Sequence, residues 1–114
     1  MKDDSILLEH MLNACLRVRE YISGCSLPDF VALHEKQDAV IRQIEIIGEA
    51  ASHVSVQYKE ENQAIEWRQI IGMRNLLIHQ YFGVDLHETY YTATHDIPLL
   101  IQALDEALQQ AKIK

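Results

Sequence analysis

The chain has 114 residues, which predicts a single domain over residues 1–114. A domain of this size buries roughly two-thirds of the surface that its unfolded chain exposes. Its formal net charge is −7, with 10 Lys and Arg against 17 Asp and Glu, and this excludes a generally basic surface that grips nucleic acid through many phosphate contacts. No apolar run approaches the ~18 residues of a membrane span, and the first residues are acidic where a secretory signal would be basic. We therefore expect a cytoplasmic protein with no membrane partner. Cys15 and Cys25 form neither a CxxC pair nor a framework of several bridges, so we expect both to be reduced structural thiols.

Two amphipathic helices are predicted in the first half of the chain. The first covers about residues 3–23, because apolar residues recur at helical spacing and Gly24 follows as a stop. A turn is predicted at Leu27-Pro28-Asp29. The second helix covers about residues 35–55 and is apolar on two sides, so we expect it to be central. Its main apolar row consists of Val40, Ile44, Ile47, Ala51 and Val54.

Three more helices are predicted in the second half. One covers about residues 66–81 and ends at Gly83, and the next begins one or two residues later with Asp85 as its N-cap. Asp96 and Pro98 then predict a break, after which a last helix covers about residues 97–112.

Two glycines lie inside predicted helices. Gly48 and Gly72 each cost about 1 kcal/mol relative to alanine, which favours a close crossing of two helices at both positions. Together the elements predict an all-α fold, an up-down antiparallel bundle of four to five helices.

Arg74 is the one charged residue in the apolar row of the helix predicted at 66–81. Positions 67, 70/71, 74, 77/78 and 81 follow the three-four spacing of one helix face, and every other member is apolar or aromatic. A guanidinium in such a row is strongly unfavourable unless an anion or a carboxylate receives it. The sequence therefore predicts a partner for Arg74.

Asn75, His79 and Tyr81 add further chemistry to this helix. Tyr81 shares the face of Arg74, whereas His79 lies five residues after Arg74 and points about 140° away from it. Two arrangements bring Arg74 and His79 to one phosphate. Either the helix loosens near His79, or a second copy of the helix supplies the missing group in a homodimer.

Acidic residues of the second helix leave two other interpretations open. Glu45 or Glu49 can pair with Arg74, in which case Arg74 is structural, His79 lies on the surface and Tyr81 caps the core. A polar ladder on the same helix invites a di-iron site, but the Glu-x-x-His spacing of such sites is absent, so we expect a solvated face, no metal and no other cofactor. The ladder consists of Glu45, Glu49 and His53.

The chain resembles the HepT-like branch of the HEPN superfamily, whose pattern is R-x4-H-x-Y near the end of a bundle helix. The resemblance is carried by the segment WRQIIGMRNLLIHQYFGVDL and by IRQIEIIGEAA upstream of it. R-x4-H alone is a weak pattern, but the following tyrosine, the F-G-V-D turn and the I-G-E-A stretch make the combination fairly specific. The similarity covers most of the chain, with no departure at the motif, and it implies an HEPN-like bundle that dimerises with its active site at the seam.

The function that this resemblance implies is a metal-independent endoribonuclease toxin of a type VII-like toxin–antitoxin pair. Arg74 and His79 would be the catalytic pair, Asn75 a supporting polar residue, and Tyr81 the residue that a cognate nucleotidyltransferase antitoxin adenylylates to silence the toxin. RNA, a second copy of the chain and that antitoxin are the implied partners. The alternative is a non-catalytic nucleotide-binding or regulatory partner of a minimal nucleotidyltransferase, but an intact Arg74 and His79 favour the enzyme.

Overall fold

Helices are the only regular secondary structure in the part of the chain that the computed structural model describes, which is residues 2–79 and 85–113, with side chains described for residues 4–74 and 85–110. In chain order the elements are α1 (Lys2–Ile22), α2 (Leu27–Ala32), α3 (His34–His53), α4 (Val56–Glu61), α5 (Trp67–His79), α6 (Leu86–Tyr91), a π-helical turn (Thr92–Asp96) and α7 (Ile97–Ile113). Because α6, the π-helical turn and α7 follow one another directly, the described chain forms four long helical rods and two short helices. The predicted all-α bundle is confirmed. None of the described helices is long and apolar enough to span a lipid bilayer.

The core forms where the apolar faces of α1, α3 and α7 meet. The predicted apolar row of α3 is confirmed, since all five of its members are buried. On α1, Leu8, Met11, Cys15 and Val18 are almost fully buried at the predicted helical spacing. α7 packs along α1 and contributes Ile97, Leu100, Ile101, Leu104 and Leu108 to the same apolar cluster.

A buried carboxylate fixes the direction of α1 relative to α3. Asp4, near the start of α1, accepts hydrogen bonds from the Ser55 backbone N–H at 2.9 Å and from the Ser55 hydroxyl at 2.7 Å, just beyond the end of α3. The two helices are therefore antiparallel. Burial raises the pKa of Asp4, but the two hydrogen bonds from Ser55 and nearby positive charge, including Lys59, together leave the pKa below its ordinary value. Ser55 in turn caps α4, because its hydroxyl oxygen accepts from the Tyr58 backbone N–H at 3.1 Å.

The turn predicted at Leu27-Pro28-Asp29 is wrong, because these residues begin α2. The Ser26 hydroxyl caps this helix by accepting from the Asp29 backbone N–H at 3.2 Å, and Pro28 fits the first turn, where its missing N–H has no helical partner to lose. Phe30 is fully buried and anchors α2 on the core. The sequence did not predict α4 either, since a helix of six residues makes fewer than two turns and shows too little periodicity.

The break predicted at Asp96 and Pro98 is also wrong. Asp96 does not cap a new helix there, since it ends the π-helical turn that joins α6 to α7. Within this turn the Ile97 backbone N–H bonds to the Thr92 carbonyl oxygen, five residues earlier. Pro98 has no N–H to donate to a regular α-helix. The wider turn shifts the hydrogen-bond register just before it, so the helical rod continues through the proline.

The predicted helix end at Gly83 falls on residues 80–84, which lie outside the described residues. Asp85 is confirmed as the N-cap of α6, because its carboxylate accepts from the backbone N–H groups of His87 at 3.0 Å and Glu88 at 3.2 Å.

Gly48 is confirmed as the crossing point of two helices, and Gly72 is not. A Cβ atom built on Gly48 of α3 would overlap the Arg74 side chain of α5 and lie 3.3 Å from the Ile70 carbonyl oxygen. Gly72 is exposed, and a Cβ atom there would meet nothing within 4 Å in the described part of the chain. The α3–α5 crossing therefore lies over Gly48 and places Arg74 directly on the backbone of α3.

Candidate active site: the arginine groove

Arg74 lies at the edge of the core, where α5 crosses α3. Its row is only partly buried, because Trp67 is buried whereas Ile70 and Ile71 are partly exposed and the Arg74 side chain is 27% exposed. The Arg74 guanidinium pairs with the carboxylate of Glu49, the residue that follows Gly48 on α3. The predicted partner of Arg74 is thus a carboxylate of the second long helix, as the structural interpretation proposed.

Glu49 is shared between Arg74 and His53. Its second carboxylate oxygen lies 3.1 Å from His53 Nε2, one helical turn further along α3. The side chains of Glu49 and His53 are 51% and 65% exposed, so this part of the ladder is solvated, as predicted. Glu49 is thus both the partner of Arg74 and a member of the solvated ladder. Among the described residues, no three His, Cys, Asp or Glu side chains are grouped closely enough to hold a metal ion.

A groove of about 590 Å³ opens beside the Arg74–Glu49 pair, between α1 and α3. We call it the arginine groove. Its α1 wall consists of Leu7, His10, Asn13, Ala14 and Arg17. Its α3 wall consists of Arg42, Gln43, Glu45, Ile46, Glu49, Ala50 and His53, and Arg74 of α5 completes it.

Packing gathers three guanidinium groups in this groove. Arg17, Arg42 and Arg74 face two carboxylates, those of Glu45 and Glu49, so the groove is locally cationic although the chain carries a net charge of −7. Sequence reasoning found no cluster of basic residues because these three belong to three different helices. Part of the groove is visible in the sequence. A spacing of seven residues puts two side chains on one helix face, and it relates Arg17 to His10 on α1 and Arg42 to Glu49 on α3.

Gln43 is the most enclosed polar residue of the arginine groove. Its side chain is only 8% exposed, and no hydrogen bond joins its amide to another described residue. Its amide atoms are not fully buried, so solvent in the groove can supply their hydrogen bonds in the free protein.

Asn75, His79 and Tyr81 carry the other predicted functions, and their side chains lie outside the described residues. The backbone is described as far as His79, and α5 is α-helical from Trp67 up to that residue. At 3.6 residues per turn, five residues place Arg74 and His79 about 140° apart around the helix. The loosened helix that would turn them together is therefore not seen up to His79.

The cysteines are not candidate nucleophiles. Cys15 and Cys25 are both free and buried, as predicted for structural thiols. Burial raises the pKa of Cys15 to about 12, so its reactive thiolate is scarcely populated near neutral pH.

The Ribonuclease HepT-like family model matches residues 11–107. The chain belongs to the HepT-like ribonuclease family. A related protein of Caldanaerobacter subterraneus, whose name provisionally describes it as an RNase, is 38% identical over 112 residues, which cover 98% of this chain and 100% of that protein. A Thermococcus cleftensis protein named as a probable ribonuclease HepT is 39% identical over 93 residues, covering 82% of this chain and 84% of that one.

A relative from Methanocaldococcus jannaschii has additional sequence. It is named as a gamma-glutamylcyclotransferase and provisional RNase, and it is 38% identical over 109 residues, which cover 96% of this HepT-like chain but 49% of the relative. No solved structure matches the chain significantly. The predicted resemblance is confirmed, and so is the predicted enzyme class: this HepT-like protein is a ribonuclease.

Proposed function

We propose that the chain is a metal-independent endoribonuclease in which Arg74 and His79 act directly on the scissile phosphate. The observation that carries this proposal is the position of Arg74, which lies partly exposed at a groove and is paired with a half-exposed carboxylate. A solvated ion pair contributes at most about 1 kcal/mol, so a phosphate can displace Glu49 at little cost. The guanidinium then binds two phosphate oxygens through its planar donors.

The proposed reaction is transesterification followed by release of a 5′-hydroxyl. A base removes the proton of the 2′-hydroxyl, the 2′-oxygen attacks phosphorus, and the bond from phosphorus to the 5′-oxygen breaks as an acid protonates that oxygen. His79 supplies proton transfer, and Arg74 stabilises the charge that builds on the phosphate oxygens. Asn75 supports the site through its amide hydrogen bonds. The products are a 2′,3′-cyclic phosphate and a 5′-hydroxyl.

We further propose that the working enzyme is a homodimer whose active site combines Arg74 of one copy with His79 of the other. The regular backbone of α5 supports this arrangement, since it separates the two positions by about 140° within one copy. In a two-fold symmetric dimer each protomer would contribute one arginine and one histidine to two identical sites.

Mixing two inactive variants tests the composite site. Arg74→Ala and His79→Ala are purified separately, mixed, unfolded together and refolded. If each site uses one residue from each copy, a mixed dimer has one intact site, and the mixture recovers about a quarter of the wild-type activity. Recovery no greater than the sum of the two separate variants would show that both residues act within one copy. Sedimentation of wild type and mixture confirms that dimers have formed.

We propose that this ribonuclease is a cytoplasmic toxin controlled through Tyr81 by a nucleotidyltransferase antitoxin. Tyr81 lies seven residues after Arg74, so a continued helix would put both on one face. An AMP group attached to Tyr81 would place an anionic phosphate and a bulky base near the guanidinium that receives the RNA phosphate. That phosphate would compete with the substrate for Arg74.

Co-expression with the cognate nucleotidyltransferase tests this control. Intact-mass measurement should show one or more AMP additions on wild type and none on Tyr81→Phe, which should keep its ribonuclease activity and escape silencing. Tyr91→Phe is a matched control, since Tyr91 is 56% exposed on α6 and should leave modification unchanged. Equal modification of Tyr81→Phe and wild type would remove the switch from this residue.

A further inference from the structure

We propose that the arginine groove binds the RNA strand next to the cut, with Arg17 and Arg42 on its phosphates and Gln43 on the edge of an unstacked base. This inference rests on the proposed ribonuclease function and names how its substrate is held. It assigns three residues of α1 and α3 that lie outside the R-x4-H-x-Y motif.

Gln43 points to a base because it lies in the groove wall and its amide, which is reached from the groove, has no hydrogen bond to a described residue. Such an amide presents two N–H donors and a carbonyl acceptor. The N–H donor and the carbonyl acceptor of a glutamine amide can form two hydrogen bonds with the edge of one nucleobase, most favourably adenine. A base inserted into the groove would supply the hydrogen bonds that the protein does not.

Arg17 and Arg42 point to phosphates because both are exposed and lie at the same end of the groove. Arg42 precedes Glu49 by seven residues, which is about 10 Å along α3. Because α1 and α3 are antiparallel, Arg17 in the second half of α1 lies beside the first half of α3, where Arg42 is. The groove therefore leads from the guanidinium of Arg74, past Gln43, to the guanidinium groups of Arg17 and Arg42.

A single strand fits this arrangement better than a duplex. In an A-form helix the base edges of the major groove are too deep for side chains, whereas the splayed bases of a single strand enter pockets on the protein. Gln43 lies in the wall of a groove and is 8% exposed, so only an unstacked base reaches its amide. Two carboxylates, Glu45 and Glu49, line the same groove and keep non-specific affinity for bare polymer low.

Binding of a fluorescent 2′-O-methyl RNA oligonucleotide tests the phosphate contacts, because this RNA lacks the attacking hydroxyl and is not cut. Arg17→Gln and Arg42→Gln should each weaken binding about 3- to 10-fold and reduce the slope of log affinity against log salt by about 0.7. Arg19→Gln and Arg68→Gln are matched controls, since both residues are exposed, lie on α1 and α5, and do not line the groove. These controls should bind RNA like wild type.

Gln43→Met tests the base contact, since it removes the amide and keeps a side chain of similar length. Because Gln43 has no hydrogen bond to lose within the described chain, the melting temperature should stay the same or rise. RNA affinity should fall by about 5- to 100-fold for the preferred sequence, and the preference among sequences should flatten. Gln37→Met is the contrasting control, because Gln37 donates to the carbonyl oxygens of Phe30 and Val31, both at 2.9 Å. It should lower stability and leave RNA affinity unchanged.

The possible outcomes separate this inference from the proposed function. If the groove variants bind RNA like wild type while His79→Ala loses cleavage, the groove proposal is wrong and the ribonuclease proposal stands. If the groove variants lose RNA affinity but wild type never cleaves RNA, the binding site stands and the catalytic proposal is wrong. If Arg17→Gln or Arg42→Gln instead changes the sedimentation of the free protein with no loss of RNA affinity, the groove is a protein interface and the inference is overturned.

Discussion

Replacing Gly48 with alanine perturbs the α3–α5 crossing that positions Arg74. A Cβ atom at this position would lie 2.7 Å from Arg74 Cγ and 3.3 Å from the Ile70 carbonyl oxygen. Neither neighbour is the free end of a flexible side chain. Arg74 Cβ would be closer still, so the two helices must separate by more than about 1 Å to restore an ordinary carbon–carbon separation of about 3.5 Å.

The expected loss of stability follows from two opposing effects. Overpacking of this kind costs about 1–3 kcal/mol, while replacing a helical glycine with alanine regains about 1 kcal/mol of helix propensity. We expect a net loss of up to about 2 kcal/mol, which lowers the melting temperature by up to about 8 °C. Gly72→Ala is the matched control, because its Cβ meets nothing within 4 Å in the described chain, and it should stabilise the protein by about 0.5–1 kcal/mol.

Urea denaturation of both variants provides the assay, followed by circular dichroism and by the fluorescence of Trp67. Trp67 is the single tryptophan, it is 8% exposed, and its indole N–H donates to the Asn62 carbonyl oxygen at 3.0 Å. Cleavage by Gly48→Ala should also fall, by up to about 100-fold, because a misplacement of this size at Arg74 spoils its alignment with the phosphate. Equal stability of Gly48→Ala and Gly72→Ala would refute the close crossing.

Three further predictions concern single side chains. Asp4→Asn should lower stability by about 1–3 kcal/mol at pH 7, because a charged acceptor for Ser55 is lost, and a change near zero would contradict the buried role of Asp4. The pKa of Asp4 is lower in the folded state, so ionised Asp4 contributes to the free energy of unfolding above the unfolded pKa of about 3.9. This contribution is lost as the pH falls through the folded pKa. Wild type and Asp4→Asn should therefore converge in stability in acid. Glu49→Gln should cost about 1 kcal/mol or less, since the Glu49 side chain is half-exposed, and a larger loss would mean that the pair with the partly buried Arg74 is a structural anchor. Cys15 should react with a thiol reagent at pH 8 only after unfolding, because burial raises its pKa to about 12, and rapid labelling of the native protein would contradict that burial.

The long helices were predictable because each carries an apolar face over several turns. The rows of α1 and α3 keep helical spacing long enough for periodicity to exceed chance, and Asp85 has the chemistry of an N-cap. The π-helical turn at Thr92–Asp96 was not predictable, because proline before a helical row normally predicts a helix start. Only the backbone shows that a wider turn carries the rod past Pro98.

The candidate site was predictable along one helix and not across three. The R-x4-H-x-Y motif and the need of Arg74 for a partner both follow from sequence, because both lie within the spacing of α5. The choice of Glu49 rather than Glu45 as the partner of Arg74 does not follow from sequence, because both residues lie on the same side of α3. The crossing at Gly48 decides it by bringing α5 beside residue 49. The groove as a whole depends on packing, because Arg17, Arg42 and Arg74 are far apart in the chain.

Cleavage of RNA by the purified protein in the presence of EDTA tests the central claim most directly. We expect wild type to cut and to leave 2′,3′-cyclic phosphate ends, whereas His79→Ala should be about 10²- to 10⁴-fold slower with an unchanged circular dichroism spectrum. His87→Ala, at an exposed position on α6, should cut like wild type. Loss of wild-type cleavage in EDTA that a divalent ion restores, or full activity of a folded His79→Ala, would contradict a metal-independent mechanism that depends on His79.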